Sequence, residues 1–304
     1  MISYTLTPIQ QIEDAVFRRA GVRVLIKRED RNHPYISGNK WWKLKYNLER
    51  ALSEKHTTLL TFGGAYSNHL YAVAAAASEL GMKSIGVVRG EETLPLNATL
   101  SFAKRMGMEL HYVSRDRYRD KTTEHFKKEL RGDFGRFYLI PEGGTNAEAV
   151  RGCVEFGQTL VKEAEFDVLC LPVATGGTMA GLVQVLMPRQ RVIGFSVLRN
   201  GDFLEQEVRR WLPTPSAASW RIETRFDFGG FARATPELIH FIEAQRENNN
   251  LVLDPVYTSK TLMGIRSLVE SGEFTASTTI LMLHTGGLHG GVIQTNLKEP
   301  PTAC

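Results

Sequence analysis

Cysteine is scarce in this chain of 304 residues: Cys153, Cys170 and Cys304 are the whole complement, and no two form a Cys-x-x-Cys pair. An odd count excludes a full set of intrachain disulfides and the spacing excludes a zinc knuckle, so a reducing, cytoplasmic setting is expected, with no metal and the thiols structural. Excess charge of one sign is scarce too. The 37 Lys and Arg residues against 33 Asp and Glu leave a net charge of +4, too little over this length to mark a nucleic-acid or membrane surface. Long apolar runs are absent: the most uniform, residues 72–77, falls far short of the ~20 residues that span a bilayer. Glu13 and Asp14 precede any long apolar run, unlike a secretion signal. Internal repeats, heptads and low-complexity tracts are missing. The charged stretch 115–121 is interleaved with Asp116 and Asp120, as on a solvated helix face.

What remains is an ordinary globular composition, 42% hydrophobic and 23% charged, with length for roughly two domains at about 150 residues each. From about Thr57 the chain alternates short β-branched runs with helical patterns. Residues 58–62, 84–88, 109–113, 137–140, 168–173, 192–197 and 280–283 read as strands, and the spacers hold crossover helices. An Ala-rich helix is expected after Gly63-Gly64, running to Leu80 and closed by Gly81. Pro95 is expected as the first residue of the helix after the second of these strands, and Asn248-Asn249-Asn250 as a helix exit. Such alternation argues for an α/β architecture whose parallel sheets are covered on both faces.

Four strand-to-helix turns carry paired glycines: Gly63-Gly64, Gly143-Gly144, Gly176-Gly177 and Gly286-Gly287. In an open parallel sheet, ligands bind just outside the carboxyl ends of the strands, so these turns line the functional edge. Thr175-Gly176-Gly177-Thr178 is the best phosphate candidate, because glycines let backbone N–H groups converge on an anion and threonine hydroxyls add donors. It is neither a Walker A loop nor a dinucleotide fingerprint. The turns alone allow a non-catalytic binder of a phosphorylated small molecule as readily as an enzyme.

The segment from Ser37 to Leu44 is more informative. Gly38 and Asn39 make a turn, and Leu44, Leu48 and Leu52 predict a helix with Lys40 in or just before its first turn. The helix dipole and the neighbouring Lys43 would lower the Lys40 pKa and raise its free-amine fraction; a solvated first-turn lysine is the bland alternative.

Six motifs occur in order: Ser-Gly-Asn-Lys-x-x-Lys-Leu, Phe-Gly-Gly-Ala-Tyr-Ser-Asn-His, Pro-Glu-Gly-Gly-Thr-Asn, Ala-Thr-Gly-Gly-Thr-Met-Ala-Gly, Asp-Pro-Val-Tyr-Thr and His-Thr-Gly-Gly. Together, from about Lys27 to Gly291, they resemble the pyridoxal-phosphate enzymes that include aminocyclopropane-carboxylate deaminase and D-cysteine desulfhydrase, a branch of the tryptophan-synthase-β-like fold (fold type II). The resemblance implies an α/β fold of two open twisted sheets, mostly parallel, with helices on both faces. A small domain, 44–152, would be inserted between two pieces of a larger one, 1–43 and 153–304, with the cleft between them and Lys40 at the seam. It also implies a homodimer, a small amino-acid substrate, and pyridoxal 5'-phosphate as cofactor. Lys40 matches the lysine that bonds to the cofactor and later moves the Cα proton. Asn68 matches the contact to the cofactor's ring hydroxyl, Lys43 a phosphate contact, and Thr175, Gly176, Gly177 and Thr178 the phosphate cup. Ser67, Asn68 and His69 match the loop that holds the substrate, with Ser67 a candidate second acid or base. Tyr257 matches an aromatic stacked near the ring, its hydroxyl facing the substrate. Apart from the resemblance, an N-cap remains an alternative reading of Asn68, and a core aromatic near a proline an alternative reading of Tyr257.

Three positions divide the two activities in the family pattern. The deaminases carry glutamine, glutamate and an apolar residue where this chain has His69, Thr258 and Thr285, and all three resemble the desulfhydrase. A neutral Thr285 at the pyridine nitrogen makes a weaker electron sink than an acid would, which suffices when a thiolate leaves from Cβ. The expected reaction is therefore β-elimination from D-cysteine to pyruvate, ammonia and sulfide. The alternatives are opening of 1-aminocyclopropane-1-carboxylate to 2-oxobutyrate, or elimination on another D-amino acid. Trp42 stands where the better-known members have arginine, either at the pocket rim or packed between domains, and Thr145 stands where serine is usual.

Overall fold

A computed structural model describes residues 2–213 and 216–289; Cys304, Gly291 and the rest of the chain end lie outside the described residues. The strands are β1 Ile9–Gln11, β2 Arg23–Lys27, β3 Thr58–Gly64, β4 Lys83–Arg89, β5 Met108–Val113, β6 Tyr138–Ile140, β7 Val168–Val173, β8 Arg191–Ser196, β9 Ser219–Glu223 and β10 Thr279–Leu283. The α-helices are α1 Ala15–Ala20, α2 Asn39–Ser53, α3 Asn68–Glu79, α4 Ala98–Arg105, α5 Glu124–Phe134, α6 Ala147–Glu163, α7 Gly177–Val183, α8 Leu204–Arg209, α9 Pro236–Asn249 and α10 Thr258–Glu270.

Two sheets result, in the α/β arrangement that the sequence implies. One has strand order β5-β4-β3-β6 and the other β1-β2-β10-β7-β8-β9. Every pairing is parallel except β1 with β2. Parallel strands buried on both faces read as continuous apolar runs; accordingly β7 and β10 have every residue buried. On one face of the six-stranded sheet Val24, Ile26 and Met282 pack with Val16 and Phe17 of α1 and Leu262 and Ile265 of α10. The opposite face merges with α2, α3, α6 and α7 into the largest core, through residues such as Leu48, Leu70, Phe156 and Met179. The far face of the four-stranded sheet is closed by Tyr118, Phe126 and Leu130.

The chain leaves the six-stranded sheet through α2 and returns through α6, and these two helices pack against each other. In the larger sheet β10 lies between β2 and β7, so the loops leaving the carboxyl ends of β2, β10 and β7 sit side by side. The carboxyl end of β3, at Gly64, belongs to the other sheet. Ligands collect at such strand ends.

Several local expectations change. Pro95 does not open a helix: α4 begins at Ala98, capped by the Asn97 side chain, which accepts from the Leu100 N–H. Strands β1, β2 and β9 fall outside the sequence reading; β2 and β9 are interrupted by Arg23, Lys27, Arg221 and Glu223, and β1 and β9 are sheet edges, where one side is left to solvent. Cys153 and Cys170 are buried free thiols. Burial pushes the Cys153 thiol up to about 11. Among the described residues no helix is long and apolar enough to cross a membrane.

Candidate active site

A cavity of about 360 Å³ opens where these strand ends meet. Lys40, Lys43, Ser67, Asn68, His69, Thr175, Gly176, Thr178, Tyr257 and Thr285 all line it. Of the residues assigned to the site from sequence, Gly177 alone is absent from the wall; it sits one position behind, as the first residue of α7.

Lys40 reaches the cavity because of Gly38. That glycine has φ 71°, and its backbone packs so close to the carbonyl of Thr285 that no β-carbon fits. Its N–H donates to the Glu29 carbonyl at 2.9 Å and to Asn32 Oδ1 at 3.0 Å. The start of α2 is thus fixed against the loop after β10, and Lys40, the helix's second residue, projects between them. Its Nζ donates to Asn39 Oδ1 at 3.0 Å, while Asn39 Nδ2 donates to Thr178 Oγ1 at 3.0 Å. The Lys40 pKa is lowered to about 8 by burial, with Cys153 and Asp254 opposing. The lowering expected from sequence is present, but its cause is desolvation rather than the charge of Lys43.

Lys43 lies one turn further along α2 and is 2% exposed. Its Nζ donates to the Gly143 carbonyl at 2.5 Å, to Thr145 Oγ1 at 2.8 Å and to Thr175 Oγ1 at 3.4 Å. Burial, then the charge of Lys40, brings its pKa down to about 7. The partners of both lysines are neutral oxygens, so two amines, that of Lys43 fully buried, face one cavity with no counter-ion bonded to either among the described residues. Beside them a β-carbon on Gly177 would stand 2.7 Å from Thr145 Cγ2, which keeps the turn 175–178 open as bare backbone. A phosphate dianion fits this donor set: amines without a counter-charge, which an anion would hold protonated, hydroxyls, and a glycine turn. Thr145 and Asn39 were not assigned to the site from sequence. Thr145 was visible only as a departure from serine, and Asn39 only as a turn residue.

At the carboxyl end of β3, Ser67 caps α3. Its Oγ accepts from the N–H groups of His69 and Leu70, both at 3.2 Å, which leaves its own hydroxyl hydrogen free. Asn68 is therefore not the cap, and its carboxamide faces Gly287 across the cavity, Nδ2 being 3.1 Å from where a β-carbon there would lie. The His69 ring turns inward. Its Nε2 lies 2.9 Å from Thr61 Oγ1, whose hydroxyl donates to the Ile140 carbonyl at 2.8 Å. The ring nitrogen is accordingly the donor to Thr61, and Nδ1 is a buried acceptor with no partner among the described residues. Burial, then Lys40 and Lys43, hold the His69 pKa well below its ordinary value, so the ring is neutral.

Across the cavity, Asp254 organises the start of α10. Its carboxylate accepts from the N–H groups of Val256, Tyr257 and Thr258 at 2.9, 2.7 and 2.9 Å, and from the Thr258 hydroxyl at 2.6 Å. Tyr257 is thereby aimed into the cavity. Burial, then the charges of Asp254 and Glu142, push its phenol pKa up, which keeps the proton on. Thr258 is fully buried and faces Asp254. Trp42 settles into the core: its Nε1–H donates to Glu29 Oε2 at 2.7 Å and its ring stacks on Phe156 at 4.8 Å. It does not line the cavity.

Comparison with known proteins shows the family. Residues 2–286 match the family described as pyridoxal-phosphate dependent enzyme. A Pyrococcus horikoshii protein, provisionally named a 1-aminocyclopropane-1-carboxylate deaminase, is 32% identical over 297 residues, covering 93% of this chain and 90% of its own. A Klebsiella pneumoniae D-cysteine desulfhydrase is 28% identical over 286 residues, covering 88% and 87%. The crystal structure of an ACC deaminase homologue superposes with a TM-score of 0.80 at 30% identity, covering 96% of this chain and 92% of that one.

Proposed function

The chain belongs to the pyridoxal-phosphate-dependent enzymes, and from that premise we propose that its cleft eliminates hydrogen sulfide from D-cysteine, leaving pyruvate and ammonia. Membership sets aside the non-catalytic binder that the glycine turns alone allowed. The reading rests most on the two threonines. Thr258 spends its hydroxyl hydrogen on Asp254, and Thr285 presents a neutral side chain to the cavity, where a demanding ring opening calls for an acid beside the cofactor's ring nitrogen.

When bound, pyridoxal phosphate supplies an electron sink for the pair left at Cα once its proton is gone. Lys43, Thr145, Thr175 and the turn 175–178 would hold its phosphate, Asn68 and Thr285 its ring, and Lys40 its aldehyde. Lys40 Nζ, its pKa lowered to about 8 by burial, is the base that would take the Cα proton. Ser67 keeps a hydroxyl hydrogen to donate to the substrate carboxylate. Tyr257, held in its protonated form, gives its proton to the departing sulfur. In the balance, Cα–H and Cβ–S break, a carbon–carbon double bond forms, and water converts the resulting enamine to pyruvate and ammonia.

The identity to the Pyrococcus horikoshii protein favours a second reading, ring opening of 1-aminocyclopropane-1-carboxylate. A panel of D- and L-amino acids scored for oxo-acid release decides between them. Sulfide and pyruvate from D-cysteine, without 2-oxobutyrate from the cyclopropane, is the expected pattern; the reverse would transfer the reading to ring opening, and release from neither would overturn both.

A further inference from the structure

The loop between β9 and α9 covers one side of the cleft in an uncommon backbone conformation. Phe228, Gly229, Gly230 and Ala232 have φ of 48°, 93°, 99° and 57°, the left-handed region that residues with a β-carbon rarely adopt. Phe231 and Ala232 line the cavity, and the Phe231 ring stands edge-on to Tyr257, centroids 6.0 Å apart at 77°.

Beneath the loop lies Lys260, one turn along α10 from Tyr257. It has no exposed surface, and its Nζ donates to the carbonyls of Asp227 and Gly230, both at 2.7 Å. Those carbonyls also accept the N–H groups of Gly230 and Arg233, at 3.0 and 3.2 Å, and Asp227 Oδ1 accepts the Gly229 N–H at 2.8 Å. A buried ammonium is costly to keep, and none of the chemistry above uses this one.

Taking the cleft as the active site described above, we infer that Lys260 is a positioning residue: it clamps the 227–232 turn from below so that Phe231 walls the cleft against the Tyr257 ring. Burial lowers its pKa to about 8. The clamp survives deprotonation, because a neutral amine still has two N–H donors for two carbonyls.

Hydrogen exchange of the holoenzyme, read over the peptide containing 227–232, tests this without any substrate. Lys260→Met should speed exchange there at least tenfold, leave α6 and β7 unchanged, and lower kcat/KM for D-cysteine at least tenfold. In Lys260→Ala, added ammonium chloride should restore the protection while sodium chloride does not. Exchange within twofold of the parent, or lost activity with the loop still protected, would overturn the clamp. Should neither variant fold, Phe231→Ala keeps the test open, since that side chain is 45% exposed. It should lower kcat/KM about fivefold without releasing the loop, and parent-like kinetics would overturn the inference. A parent enzyme inert toward D-cysteine but showing the exchange pattern would remove the substrate reading and leave the clamp standing.

Discussion

Lys43 Nζ donates to Thr145 Oγ1 at 2.8 Å, and that hydroxyl lies 2.8 Å from Thr175 Oγ1. Three chain segments, α2 and the loops after β6 and β7, therefore converge on one buried amine. The two hydroxyls come from different sheets' connections, so this contact ties the cup together before any anion arrives.

Lys43→Met removes an amine that an arriving phosphate would hold charged, and leaves the Gly143 carbonyl without its donor. A hydrogen bond to a charged group contributes about 1.5–3 kcal/mol, so cofactor affinity should fall roughly 10- to 100-fold, with kcat little changed at saturating cofactor. Titration of the apoprotein by absorbance measures it; an unchanged dissociation constant would remove Lys43 from the cup.

The Lys40 amine must be neutral to attack the cofactor's aldehyde, and its pKa is near 8. Capture of cofactor by the apoprotein should speed up about tenfold per pH unit from pH 6 toward 8 and level off above. The sign for stability is the same: between about pH 8 and the ordinary lysine value of about 10.4 the unfolded chain binds more protons than the folded one, so apoprotein stability rises with pH across that window. Stopped-flow absorbance and thermal melts at several pH values check both. A flat capture profile would mean the amine is not the titrating group.

Tyr257→Phe keeps the ring against Phe231 and deletes the proton donor. General-acid groups contribute typically 10²- to 10⁴-fold, so kcat should fall into that range with cofactor affinity kept. Because the phenol pKa is pushed up, Tyr257 adds no alkaline limb to the parent's rate profile below pH 10. Steady-state kinetics of both proteins across pH measure this.

Trp42→Phe keeps an aromatic ring beside Phe156 but removes the N–H donated to Glu29 together with part of the buried indole. Glu29 keeps donors from Thr7 at 2.6 Å and Asn32 at 2.9 Å, so the cost should be about 1–3 kcal/mol of stability with kinetics per folded molecule unchanged. Denaturant titration beside an activity assay separates the two effects. A change in substrate preference would place Trp42 at the pocket after all.

Much of this was legible in the sequence because parallel strands covered on both faces leave uninterrupted apolar runs, and the glycine pairs mark their carboxyl ends. Strands β2 and β9 were hidden by Arg23, Lys27, Arg221 and Glu223, whose side chains find solvent or ion pairs only once the sheet exists. Within the site, Lys40 and the 175–178 turn could be picked out by type and order. The burial that lowers the Lys40 pKa, the inward turn of the His69 ring and the recruitment of Thr145 could not. Each depends on elements more than seventy residues apart in the chain: Lys43 meets Thr145, and His69 Nε2 meets a hydroxyl that leans on Ile140. Trp42 illustrates the same limit: its place on the helix left two faces open, and Glu29 with Phe156 decided between them.

The most direct test of the cleft's assignment is borohydride reduction of the holoenzyme followed by peptide mapping. A pyridoxyl-phosphate adduct confined to Lys40, with the visible absorbance lost on reduction, is the expected result. An adduct on Lys43, on Lys260 or on no lysine would contradict the assignment of Lys40 as the cofactor's anchor.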